Sequence, residues 1–285
     1  MATLTETAAV SARLARRLRL PRFDSPQASA RALGVAAAST IAFLYLPIVV
    51  LIVFSFNDNQ VTTLPLRNFT WRWYENAFAN ADLLRALRNS VHVATSSTML
   101  CIIIGVPAAI ALDRIEFPGK ALFRRAVLLP LVLPGIITGI SMLNLFRVIG
   151  FDLSLTTVII GHGTALVSVV ITQVFARLQR FNRRLEEASD DLGATPLQTF
   201  WLVTLPSIRT AIVGSALLTF TLSFDEIPVT FFLTGRENTL PMYIYSTLRS
   251  GITPEINAIG TIIVVTSLLV IFLSVYLLSD RQEGR

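Results

Sequence analysis

Two adjacent acids, Asp225 and Glu226, stand inside the otherwise apolar stretch of residues 207–233, with Ser223 and Phe224 just before them. An ionised side chain at the centre of a bilayer costs ~2.5–3.5 kcal/mol on insertion scales, so acids kept there are functional candidates by default. Counted from Ser207 at 1.5 Å per residue, Asp225 falls about 27 Å along a helix, toward its outer end. The chemistry open to the group is attraction of a cation, as a vestibule or an outer gate, or an ion pair of one acid with Arg236 or with an arginine of a partner chain. Other chemistry is scarce. A single cysteine, Cys101, leaves no intramolecular disulfide, and two histidines, His92 and His162, supply little for a metal site. No G-x-x-x-x-G-K-[ST] phosphate cradle occurs, so nucleotide hydrolysis would belong to another chain, and no residue is assigned a catalytic or metal-binding role.

The elements that would position such acids are membrane helices. Of 285 residues, 53% are hydrophobic and 15% charged, which argues against an ordinary soluble enzyme. A run of about 20 apolar residues crosses ~30 Å of hydrocarbon, and six candidates occur, at 32–56, 91–112, 126–149, 155–176, 207–233 and 256–278. The links at 57–90 and 177–206 are too short for soluble catalytic domains. The turn at 150–154 is brief, with Arg147 and Asp152 at its rim, yet one helix could not absorb both flanking segments. Pro47, Pro107, Pro130, Pro134 and Pro228 are expected to bend or interrupt helices. Gly161 and Gly163 around His162 read as a close helix contact, and Asn144, Gln173 and His92 as makers of interhelical hydrogen bonds. Trp71, Trp73 and Tyr74 fit an outer interfacial anchor or a contact for a soluble partner.

The net charge of +6 raises the question of nucleic acid, and the positions of the charges answer it. Most of the 24 lysines and arginines fall in the tail before residue 32, near residues 114–125 and 177–209, and at the C-terminus. Arg67, Arg72, Arg85, Arg88, Arg147, Arg236 and Arg249 remain for the opposite side. That bias retains both termini in the cytoplasm and scatters the charge over short loops, unlike a nucleic-acid surface. Residues 1–31 read as a cytoplasmic tail, disordered or lying on the surface, with a short amphipathic helix at 11–20 as the alternative. Residues 32–278 form the membrane domain and 279–285 a cytoplasmic tail.

The loop at 185–206 carries the most information. Its sequence, LEEASDDLGATPLQTFWLVTLP, reads as two short helices joined at Gly193. Thr195 is the cap of the second, Pro196 its first residue and Gln198 the partner in a capping box, after which Pro206 opens the next span. Leu185, Ala188 and Leu192 lie on one side with Phe200 and Trp201 nearby, too apolar to stand in cytosol without a partner.

This loop resembles the EAA loop of ATP-binding-cassette importer permeases, of the form E-A-A, three residues, G, nine residues, I-x-L-P. Glu187, Ala188, Ser189, Gly193, Val203, Leu205 and Pro206 occupy those places, with serine for the second alanine and valine for the isoleucine. Further stretches resemble the second permease of spermidine and putrescine importers: Ser55 to Asp58, Trp71 to Tyr74, Thr219 to Ser223, Leu240-Pro241 with Ile244 to Ser246, and Gly251 to Ala258. The resemblance implies an all-α, polytopic, six-helix subunit of the bacterial inner membrane, with a cytoplasmic coupling-helix loop. It implies as partners an ATPase dimer holding ATP and Mg, a second permease of different sequence, a periplasmic solute-binding protein and membrane lipid. The cargo implied is a polyamine, with an opine, amino acid or other small solute as alternative. Where the family often carries two aspartates this chain has Asp225 and Glu226, which changes the cavity. An ion-coupled secondary transporter would need no docking loop.

Overall fold

The structure is a computed structural model describing residues 26–59, 65–250 and 254–279. The expected short helix at 11–20, most of the N-terminal tail, residues 251–253 and residues 280–285 lie outside the described residues. The chain is helical: α1 Pro26–Ser55, α2 Arg72–Ala79, α3 Ala81–Arg114, α4 Lys120–Ala126, α5 Leu129–Val132, α6 Gly135–Val148 and α7 Leu155–Leu178. There follow α8 Arg184–Asp191, α9 Pro196–Thr199, α10 Leu205–Phe224, α11 Pro228–Leu233, α12 Leu240–Ser250 and α13 Pro254–Ser279.

Among the described residues, four helical stretches are each long and apolar enough to cross a bilayer, five when the bent pair α4–α5 and α6 is taken as one span. The sixth expected segment is α13, a helix of 26 residues. Two of the expected spans are therefore not straight rods. The third is bent by 106° between Val132 and Gly135. The cause is local: a residue preceding proline is pushed out of the α region, and Leu133, before Pro134, is extended at φ −72°, ψ 132°. The fifth ends at Phe224 and resumes at Pro228, which takes the first helical position of α11, where a missing N–H costs nothing. Pro47 and Pro107, by contrast, lie inside continuous helices.

The chain divides into two compact units. In the first, formed among the described residues by 26–59, 65–70 and 257–279, the segment after α1 closes on itself. Asn57 bridges to Phe69, the rings of Phe56 and Phe69 stack at 5.0 Å, and the Asn57 side chain accepts the Arg67 N–H at 2.7 Å.

The second unit, formed among the described residues by 71–250 and 254–256, holds both candidate sites. Its inner core packs Cys101, Val106, Ala109 and Leu112 of α3 against Val170, Ile171, Val174 and Leu178 of α7, with Ile208 of α10. A second cluster joins Val93, Phe146 and Val158 to Val229 and Leu233 of α11. Close approach depends on small residues. A Cβ on Gly139 would lie 2.8 Å from the Phe232 ring and 3.3 Å from the Val229 backbone, so glycine is what lets α6 lie against α11. Gly161 and Gly163 do admit neighbours, Leu233 and Leu100 respectively.

The interhelical polar contacts differ from those expected. Asn144, Gln173 and His92 are exposed and make no side-chain hydrogen bond among the described residues, because at 100° per residue they fall on the outward faces of their helices. The work is done by Ser97 to the Ile159 carbonyl at 3.2 Å, Asn89 to the Asn238 carbonyl at 3.0 Å and Ser90, which accepts the Leu240 N–H at 2.8 Å. In α2 Trp73 is buried, while Trp71, just before the helix, stays exposed with its ring 5.3 Å from Tyr74.

Candidate functional sites: the docking loop and the break in the fifth span

The loop begins where α7 ends. At Gly193 the backbone is left-handed, φ +82°, the conformation glycine adopts at little cost and which ends a helix. Thr195 then caps α9: its N–H donates to the Gln198 side chain at 2.8 Å and its hydroxyl accepts the Gln198 N–H at 3.4 Å. The second helix is not separate from the membrane span, as the sequence suggested. It continues through a π-helical turn, Phe200–Thr204, into α10, so that one stretch of 29 residues runs from Pro196 to Phe224. Pro206 has no N–H for the Leu202 carbonyl and its ring crowds that turn; widening the turn accommodates it without ending the helix.

Of the motif residues, Glu187, Ala188, Gly193 and Pro206 are exposed, while Ser189, Val203 and Leu205 are half-buried. Ser189 faces inward. Thr199 donates its one hydroxyl proton to Asp190 at 3.3 Å, so the 3.0 Å contact between Ser189 and Thr199 has Ser189 as donor, tying α8 to α9. Sequence reasoning missed the inner half of the anchor. The Glu186 carboxylate pairs with Arg114 at the end of α3 and accepts the Thr204 hydroxyl, and Asp113 pairs with Arg183 at 3.0 Å and accepts from Gln179. A signal existed: in Glu186-Glu187 two adjacent acids point about 100° apart on a helix, so one can turn inward while the other faces out. The outer face is apolar, with Leu192 89%, Leu202 74% and Trp201 57% exposed.

At the break in the fifth span, Asp225 is the residue that ends α10. Its side chain is exposed and makes no hydrogen bond or ion pair among the described residues. Glu226 is half-buried and accepts the Val229 N–H at 3.1 Å, at the start of α11. Neither acid pairs with Arg236, which is exposed. Phe224 stacks on Phe220 with ring centroids 6.0 Å apart, and Ser223 is buried.

His162, read from sequence as a packing residue, spans this break from α7. One ring nitrogen, Nδ1, lies 2.8 Å from the Ser223 hydroxyl before the break, and Nε2 lies 2.9 Å from the Thr230 hydroxyl after it. Thr230 donates its only proton to the Glu226 carbonyl at 2.9 Å. It must therefore accept from Nε2–H, which makes Nδ1 of the neutral ring the acceptor for Ser223. At the far end of α11, the Thr157 hydroxyl donates to the Leu233 carbonyl at 2.7 Å. A helix interruption in hydrocarbon leaves backbone groups that must be satisfied by protein; here the Glu226 carboxylate accepts the Val229 N–H, the Thr230 hydroxyl donates to the Glu226 carbonyl, and Thr157 of α7 donates to the Leu233 carbonyl. Among the described residues no group of His, Cys, Asp and Glu gathers as metal ligands.

Membrane-length helices with an interrupted span and a loop of two short helices with an apolar face define a class, the permease fold of ATP-driven importers. Solved structures share it: a bacterial ABC transporter importing alginate superposes with TM-score 0.67 at 19% identity, covering 88% of this chain and 97% of that one. The MetNI methionine transporter gives 0.54 at 22% identity, covering 70% and 94%. Residues 101–285 match the model of the binding-protein-dependent transport system inner membrane component, and the chain belongs to that family. Among curated proteins, the spermidine/putrescine transport system permease protein PotC of Haemophilus influenzae is 37% identical over 234 residues, 82% of this chain and 91% of that protein. The putrescine transport system permease protein PotI of Escherichia coli is 36% identical over 251 residues, 85% and 89%. The chain is thus a membrane-embedded permease subunit of an importer.

Proposed function

We propose that this permease carries a polyamine of the putrescine or spermidine class across the bacterial inner membrane, with both termini and the 185–206 loop in the cytoplasm. Residues 1–31 and 279–285 are its tails and 32–278 its membrane domain. Solute arrives on a periplasmic binding protein and passes between this chain and a second permease of different sequence. An ATPase dimer on separate chains holds ATP and Mg and docks on the face bearing Leu192, Trp201 and Leu202.

The observation that carries the cargo reading is the identity of 37% and 36% to polyamine permeases over more than four fifths of the chain. Asp225 supports it: an exposed acid in an apolar span attracts a cation, and its cost is offset when a cation passes. The mechanical part follows from continuity. Movement of the ATPase acts on α8 and α9, and the helix from Pro196 to Phe224, about 43 Å at 1.5 Å per residue, ends next to Asp225. Glu187, Ala188 and Gly193 lie on the docking side of that lever, and Ser189, Val203, Leu205 and Pro206 join its parts. ATP and loaded receptor then drive import by favouring different permease conformations.

The test is ATP-dependent uptake by the reconstituted importer, comparing putrescine and spermidine with an opine and an amino acid. Polyamine uptake that falls with Asp225→Asn is the expected result. Uptake of only the anionic or zwitterionic solutes refutes the cargo reading and leaves the importer architecture standing.

A further inference from the structure

The two adjacent acids differ in surroundings more than in type. Asp225 is exposed and without a side-chain partner among the described residues. Glu226 is half-buried, with a side-chain hydrogen bond and a close neighbour. Its Oε1 takes the Val229 N–H at 3.1 Å, and the same oxygen stands beside the first residue of α6, where a Cβ added to Gly135 would lie 3.1 Å from it and 3.2 Å from Pro228. The carboxylate therefore sits between the bend of the third span and the break of the fifth. In the first turn of the 14-residue α6 the Ile137 and Thr138 N–H groups donate to the Pro134 carbonyl at 2.9 and 3.2 Å, and the positive end of the helix dipole faces this oxygen, an environment that favours negative charge.

We propose that Glu226 is a positioning residue, the cap that fastens the break of the fifth span to the bend of the third, and that Asp225 alone of the pair is presented to the solute. The surrounding contacts agree. The backbone carbonyl of Glu226 receives the Thr230 hydroxyl, which is held in turn by His162. Gly139 lets α6 lie against Phe232 and the backbone of α11. The bend, the cap and α11 form one body, into which a freely mobile ligand carboxylate at position 226 does not fit. Asp225 ends the long helix that reaches the docking loop, so movement of that helix alters the setting of Asp225 against a Glu226 held in place. The assignment of Asp225 rests on the cation reading above; that of Glu226 does not.

The test uses the complete importer in proteoliposomes, with ATP and saturating receptor loaded with putrescine, and three variants. Glu226→Gln keeps an oxygen that accepts the Val229 N–H and removes the charge. Glu226→Ala removes both, and Asp225→Asn removes only the neighbouring charge. The expected pattern is uptake near the parent rate for Glu226→Gln. Glu226→Ala is expected to lose about tenfold or more, in line with the loss of a hydrogen bond to a charged group, or to fail to assemble. A loss with Glu226→Gln as large as that with Asp225→Asn overturns the proposal, since the charge at 226 would then be what meets the solute. Full activity of Glu226→Ala overturns it as well, because the cap would be idle. If Glu226→Gln is active, Glu226→Ala impaired and Asp225→Asn harmless, the positioning role of Glu226 stands and the cation reading of Asp225 falls.

Discussion

If Glu186 anchors the docking loop to the end of α3 while Thr204 ties it to the long helix, then the Arg114 to Glu186 pair should report as a coupling energy between the two residues. Arg114→Met keeps much of the side-chain bulk and removes the charge; Glu186→Gln keeps the shape and removes the partner charge. The side chains are 34% and 17% exposed, so the pair is neither a surface pair nor a sealed one. Exposed pairs contribute about 0–1 kcal/mol and hydrogen bonds to charged groups about 1.5–3. At this burial a coupling of about 1–2 kcal/mol is expected, a factor of roughly 5–30 in the docked equilibrium. Thr204 bonds to the same carboxylate, so the Glu186 variant should also loosen the π-helical turn and be the more damaging single change. The assay is a double-mutant cycle on the affinity of the ATPase for the permease and on receptor-stimulated ATP hydrolysis in the assembled complex. The double variant should be little worse than Glu186→Gln alone. Losses that add within about 0.3–0.5 kcal/mol, the margin for independent sites, would refute the pair as the link between the loop and α3.

Two other substitutions test the geometry. Gly193→Val places a β-branched residue at φ +82°, where an L side chain costs about 1–2 kcal/mol, while asparagine tolerates that region. Weakened ATPase docking by Gly193→Val, near-normal docking by Gly193→Asn and intact membrane insertion of both are expected; equal behaviour of the two would mean that the turn does not set the docking face. Gly139→Ala sets a methyl 2.8 Å from the Phe232 ring and 3.2 Å from the Pro228 carbonyl. Overpacking of this kind costs about 1–3 kcal/mol, so the purified complex should unfold several degrees lower, and an unchanged unfolding temperature would refute tight packing of α6 on α11.

Much of the architecture is legible in the residue order. Apolar runs of membrane-spanning length need no tertiary information, because a helix in hydrocarbon satisfies its own backbone hydrogen bonds. The loop is legible for the same local reason: Gly193 and the Thr195 to Gln198 capping box act within a few residues, and both are present in the structure. The acids at 225 and 226 stand out because charge is rare at that depth. What sequence reading could not assign is which partner each polar group meets. Pro206 reads as a helix start, yet a π-helical turn carries the helix through it. Pro228 reads as a bend or an interruption, and only the structure shows that it begins a separate short helix. His162 reads as a spacer between glycines, yet it bridges Ser223 and Thr230 across the break. Glu186 and Glu187 are the same residue type one step apart, and Asp225 and Glu226 nearly so. One of each pair is engaged and the other exposed because α3, α6, α7 and α11, distant along the chain, close around one side only. Local order determined the helices, the turns and the presence of the acids. Tertiary packing alone decided which acids hold the structure together and which are left exposed.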